Sequence, residues 1–147
     1  MREGSPENQK PRLIMATICL SYIMAIIHWN CQGFYAKHDD IQLLIQDNHP
    51  SVLCLQESYH TPDKPVSLRR YSCFSTPSPR SALRASGGVS TIISNRIPHR
   101  CIPLTTAIQA VAVSVSLHRC FTICNIYIPP TCTLSYNDQI GRASCRE

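Results

Sequence analysis

The sequence predicts an α/β domain, and three observations predict it. Two apolar runs, residues 24–29 (MAIIHW) and 52–55 (VLCL), each stop at polar residues and flank an amphipathic segment, the order of a strand, a helix and a second strand. A later stretch, 110–117, alternates strictly, with Val111, Val113, Val115 and Leu117 on one side and Ala112, Ser114 and Ser116 on the other, as a strand with one buried face does. A length of 147 residues with 44% hydrophobic and 16% charged side chains has room for one domain or part of one, with a sizeable core.

Taken in order, residues 1–12 are polar, bear prolines and lack periodicity, which predicts disorder. Residues 13–27 are uncharged and mostly apolar, but short for a membrane span and not followed by the small-residue cleavage site of a signal peptide. Met24 therefore reads as a natural start and 1–23 as a leader outside the domain, with no membrane partner expected; a signal anchor is the alternative reading of the leader. His38, Asp39 and Asp40 offer caps and negative charge to a helix whose Ile41, Leu44 and Ile45 share a face, and Asn48 and Pro50 stop it. Residues 52–56 form the next strand. A long proline-bearing connection follows, with one strand-like piece at 71–74.

Gly87 and Gly88 introduce a strand at 89–94 whose entry needs close approach or unusual backbone angles. The alternating strand 110–117 then turns tightly at His118 and Arg119 into 121–128 to make a hairpin, ended by Pro129 and Pro130. Residues 140–147 (IGRASCRE) lack periodicity and match one reading frame of a sequencing-library adapter, so the domain is read as 24–139 and the last eight residues as an assembly artefact.

A net charge of +5 and a pI near 8.8 suit a polyanionic partner, but Lys and Arg are not gathered into blocks. The nine cysteines are odd in number and contain no C-x-x-C, and several sit in or beside apolar runs. They read as buried free thiols, which implies a reducing, intracellular compartment, nuclear or cytoplasmic.

The chemistry concentrates at strand ends. Glu57 is one of nine acids and closes an apolar strand, where an ionised carboxylate is costly unless a cation or hydrogen-bond donors compensate. A hard ion such as Mg²⁺ needs one or two carboxylates plus waters and phosphate oxygens, which such a residue can begin to supply, while the plainer reading is a strand-end Glu that simply faces water. Asn30, ending the first strand, can donate to one group and accept from another, or simply form the turn with Gly33. If Ile126 and Ile128 face the core, Asn125 and Tyr127 lie on the side of Ser114 and Ser116, where the phenol could hold a phosphate oxygen or merely pack. His60 is a candidate acid or base by type alone, and a loop histidine is usually solvated. No serine or cysteine nucleophile motif, glycine-rich phosphate loop or zinc spacing is present.

The blocks IIHWNCQGF, PSVLCLQES, SGGVSTII, AIQAVAV and FTICNIYIPP occur in the order and spacing of the endonuclease/exonuclease/phosphatase superfamily. Over about 24–138 the chain resembles the amino-terminal half of the apurinic-type endonuclease domain of a Jockey-like non-LTR retrotransposon of arthropods. The resemblance implies part of a four-layered α/β sandwich of the deoxyribonuclease-I-like type, Mg²⁺ or Mn²⁺ as cofactor, DNA as partner and a downstream reverse transcriptase. It implies that Asn30 belongs to the site's hydrogen-bond network, that Glu57 binds the metal and that Tyr127 contacts the scissile phosphate. Gln32, where some apurinic relatives have Asp, and Asn125 fall at substrate-contact positions. Ser58 stands where Thr is usual, and Pro130 where several relatives have a phosphate-contacting Asn. The Gly-Asp-x-Asn and Ser-Asp-His motifs that orient and activate water are absent from the sequence, so the chain alone is expected to be inactive and poorly soluble. Two rival readings are a non-enzymatic interaction module and a phosphatase of the same superfamily.

Overall fold

The computed structural model describes residues 14–20, 22–78, 87–117 and 119–130, with side chains from Met24 onward. Within them the order is β1 (Ile14–Leu20), β2 (Tyr22–Asn30), α1 (His38–Asn48), β3 (Val52–Gln56), β4 (Tyr71–Thr76), β5 (Val89–Ser94), β6 (His99–Ile102), β7 (Gln109–Ser116) and β8 (Cys120–Tyr127). The described residues are mixed α/β, mostly strand: one five-stranded sheet, β1-β2-β3-β5-β4, and one three-stranded sheet, β6-β7-β8. Strands β2 and β3 pair in parallel, so the connection between them must cross over, and α1 is that crossover. Every other pairing is antiparallel.

Strand alternation divides the core in two. From β2, β3 and β5, Ile27, Trp29, Leu53, Leu55 and Ile92 point to the helix side, where they meet Phe34, Ile41, Val66 and Leu68 with Leu44 and Ile45 of α1. Met24, Val52, Cys54, Val89 and Ile93 point the other way, onto Val111, Val113 and Val115 of β7. Both faces of β3 are buried, as its unbroken apolar run requires. Ile27, Leu53, Leu55 and Ile92 are fully buried, and each such side chain contributes about 1.5–3 kcal/mol by transfer from water.

Helix α1 begins at His38 behind Lys37, which gives no side-chain cap; Asp39 and Asp40 instead lie in the first turn, where negative charge suits the helix dipole. His49 ends it in the left-handed conformation with its N–H on the Ile45 carbonyl.

Several expectations are corrected. The sheet reaches back beyond Met24, since β2 starts at Tyr22 and β1 pairs along it from Ile14. Strand β6 was not foreseen, because His99-Arg100-Cys101-Ile102 has no strand pattern of its own and is strand only through pairing with β7. Cys101, Cys120 and Cys124 are exposed thiols, and among the described residues only Cys31 and Cys54 are buried. The faces of β8 are reversed. Asn125 opposes Val111 and Ile123 opposes Val113, and directly opposed residues share a face, so Phe121, Ile123, Asn125 and Tyr127 point inward and Ile126 points out. Both alternations of this strand carry apolar residues, so pattern alone does not choose between them; hairpin register does. The expected disorder at 1–12, the turn residue His118 and the expected artefact at 140–147 lie outside the described residues. Among the described residues no helix is long and apolar enough to cross a membrane.

Candidate metal and phosphate site at the rim between the sheets

Parallel register sets Asn30, the last residue of β2, beside Gln56, the last of β3. The ladder does not stop there. Cys31, Gly33 and Phe34 donate their N–H groups to the carbonyls of Gln56 (3.0 Å), Glu57 (2.7 Å) and Ser58 (2.9 Å). On the opposite side the N–H groups of Ser58 and Tyr59 reach the carbonyls of Gly88 (3.1 Å) and Gly87 (3.0 Å). The segment carrying Glu57 is thus clamped from both flanks, although it is formally loop.

Alternation alone would send Glu57 to the helix side with Leu53 and Leu55. A φ of 50° at Glu57 breaks the alternation, and its carboxylate turns toward the second sheet. There the Tyr127 hydroxyl donates to Oε1 at 2.9 Å and the Tyr59 hydroxyl to Oε2 at 2.8 Å. Asn30, at the end of β2, also acts on this carboxylate and lowers its pKa. Gln32 (φ 48°), Glu57 and Tyr59 (φ 51°) are three of the five non-glycine residues with positive φ among the described residues. Left-handed backbone costs on the order of 1 kcal/mol each for such residues, and its concentration here marks the rim as a place where backbone strain is held by neighbouring structure.

The electrostatics follow from the donors. Burial by itself raises the Glu57 carboxyl, but Asn30, Tyr59 and Tyr127 together outweigh it and hold the group below its ordinary value of 4.5. Burial and the adjacent carboxylate push Tyr59 up to about 12 and raise Tyr127 as well, so both phenols remain donors. Because the folded value is depressed, the stability these bonds contribute is complete above 4.5 and is lost as pH falls through the folded value. A carboxyl-carbon NMR titration should therefore give Glu57 a midpoint below 4.5, and a midpoint above it would mean that burial outweighs these three residues.

No protein-family model and no curated protein matches this sequence.

Of the residues singled out in the sequence, Asn30, Glu57 and Tyr127 come together. Gln32 does not join them: it is exposed and is not a partner of the Glu57 carboxylate. Asn125 is corrected from a substrate contact to an internal clamp. It is 3% exposed, and its Nδ2 donates to the carbonyls of Leu55 (3.2 Å) and Ser90 (3.1 Å), tying β8 to β3 and β5. Gln56 adds a second tie, donating from Nε2 to the Ile126 carbonyl. His60 is not solvated but 2% exposed; its Nδ1 faces the Ser58 hydroxyl at 2.8 Å, and burial lowers its pKa. Burial raises Cys31 to about 11, so this neighbouring thiol is no nucleophile. Tyr59 was missed. Its one signal was a spacing of two from Glu57, which in extended chain puts two side chains on the same side.

An ion at this rim would meet one described carboxylate, that of Glu57. No described Lys or Arg forms an ion pair with Glu57, and no group of three His, Cys, Asp or Glu side chains gathers among the described residues. A single ionised carboxylate held by neutral donors does not fit the closed cage of structural zinc. It fits Mg²⁺ or Mn²⁺, which keep several waters and take one or two carboxylates along with substrate phosphates.

Proposed function

We propose that this chain carries the Glu57-centred metal and phosphate site of a Mg²⁺-dependent DNA endonuclease of the non-LTR retrotransposon type, built on a four-layered α/β sandwich. The observation that carries the reading is the convergence on the Glu57 carboxylate of Tyr127, by a hydrogen bond from the second sheet, and of Asn30, which lowers its pKa from the end of β2. The ordered motif blocks supply the family and the substrate class, and the lone, donor-held carboxylate supplies the fit to a hydrated divalent ion.

In this reading Glu57 holds the ion. When bound, the ion polarises a phosphodiester oxygen and stabilises the charge that develops on it. Asn30 keeps the carboxylate ionised and aimed, as the partners of a ligating carboxylate commonly do. Tyr127 reaches the same carboxylate from the second sheet and remains protonated, so it is a neutral donor suited to a phosphate oxygen. No described residue is assigned to activating water, since His60 is buried against Ser58.

The test is binding. Retention of duplex DNA by the chain should rise when Mg²⁺ is added, and Glu57→Gln, which keeps the shape and removes the charge, should abolish that increment and weaken Mn²⁺ binding by about tenfold or more. Equal Mg²⁺ dependence in both chains would defeat the proposal.

A further inference from the structure

Behind the Glu57 segment lies a buried cluster of neutral polar groups that the metal reading does not use. Ser75, exposed on β4, donates its hydroxyl to Ser90 Oγ at 2.9 Å, and Ser90 donates to Ser58 Oγ at 3.4 Å. Ser58 Oγ in turn lies 2.8 Å from His60 Nδ1, and Ser58, His60 and Ser90 are each 2% exposed or less. With every hydroxyl donating onward, Ser58 gives its hydrogen to Nδ1, which assigns the neutral ring its own hydrogen on Nε2. Nε2 has no partner among the described residues. We propose that His60 is an acid-sensitive latch: neutral, it anchors this hydroxyl chain and fixes the segment behind Glu57, and protonated it releases that segment.

The direction of the chain explains why a second hydrogen is unwelcome. On protonation Nδ1 becomes a donor facing a hydroxyl that already receives one hydrogen from Ser90 and spends its own on Nδ1. Either that bond is lost or every hydroxyl reverses. The groups around the ring are neutral: Ser58 from its own segment, Ser78 from the stretch after β4, and Gly88 and Ser90 from β5 and its entry. No ion pair among the described residues includes His60, and Glu57 turns its carboxylate to Tyr59 and Tyr127. Burial accordingly holds the imidazole below its ordinary value of 6.5. Ser58 also sends its N–H to the Gly88 carbonyl at 3.1 Å, beside the Tyr59 N–H on Gly87, so movement of its side chain acts on the clamp around Glu57. Because the folded value is depressed, the contribution of the neutral ring is complete above 6.5 and is lost as pH falls from there through the folded value. That decline begins above the range in which Glu57 protonates. The latch stands whether or not Glu57 holds an ion.

The experiment follows backbone amide exchange of the 147-residue chain between about pH 7.5 and about pH 5, where carboxylates stay largely ionised and histidines titrate. Protection factors, which remove the intrinsic effect of pH on exchange, should fall about fivefold at Ser58 and Tyr59 over that range, the factor that corresponds to one ordinary hydrogen bond. His60→Asn keeps an acceptor near the place of Nδ1 and does not titrate, so protection in this variant should stay level. In the unsubstituted chain, imidazole ¹⁵N shifts should place the hydrogen of neutral His60 on Nε2 and give a midpoint below 6.5; this readout stands even if the variant does not fold. Level protection in the unsubstituted chain, an equal fall in His60→Asn, a neutral ring with its hydrogen on Nδ1, or a midpoint at or above 6.5 overturns the latch.

Discussion

Asn125→Asp should destabilise the chain by about 3–5 kcal/mol at neutral pH, the usual cost of an uncompensated buried charge. The amide nitrogen now donates to two carbonyls, of Leu55 and Ser90, from a position that is 3% exposed. A carboxylate in its place sets negative oxygens against those two carbonyls, and no ion pair among the described residues brings a cation to it. Desolvation and this repulsion raise the folded-state pKa of the new Asp above its unfolded value. The folded state then binds the proton more tightly, so the penalty is small below about pH 4 and grows as pH rises through the unfolded and then the folded value. The gap between the urea midpoints of variant and parent should be small at acid pH and large at neutral pH, the parent at each pH correcting for its own acid loss through Glu57. Identical midpoints at neutral pH would mean that Asn125 faces water, where the sequence had suggested a substrate contact.

Gly88→Val should cost about 3 kcal/mol or more, read as a fall in the urea midpoint. Gly88 has φ 86°, which a β-branched residue rarely adopts, and a Cβ there would stand 2.9 Å from Ser58 Oγ and 3.2 Å from His60 Nδ1. Those two atoms are hydrogen-bonded to each other and buried, so neither can withdraw freely. The Gly88 carbonyl also accepts from the Ser58 N–H, directly after Glu57. The substitution therefore strains the clamp on the site as well as the strand entry, and Glu57-dependent Mn²⁺ binding should fall with stability. A variant with an unchanged midpoint would show that the backbone at residue 88 relaxes into an ordinary conformation.

The two substitutions mark where reading the chain succeeds and where it stops. The glycine pair announces a special backbone by composition alone, and the structure gives both residues positive φ. Strands β3, β5 and β7 stand where apolar runs and alternation put them, because a strand with one or two buried faces writes its burial into local pattern. Asn125 carries no such mark. Whether it faces the first sheet or water depends on the register of a hairpin whose second strand has apolar residues on both faces. Tyr59 was invisible for a related reason: its bond to Glu57 exists because both residues adopt left-handed backbone conformations imposed by neighbouring strands, and no local preference of Glu or Tyr asks for that.

By itself, then, the sequence determined the order of the central strands, the crossover helix and the polar residues at the strand ends, since these are short-range consequences of hydrophobic period and turn chemistry. Only the tertiary structure decided which of those polar residues share a carboxylate and which are spent holding the sheets together. That choice is made by register and by two left-handed residues, and both are set by contacts between segments far apart in the chain.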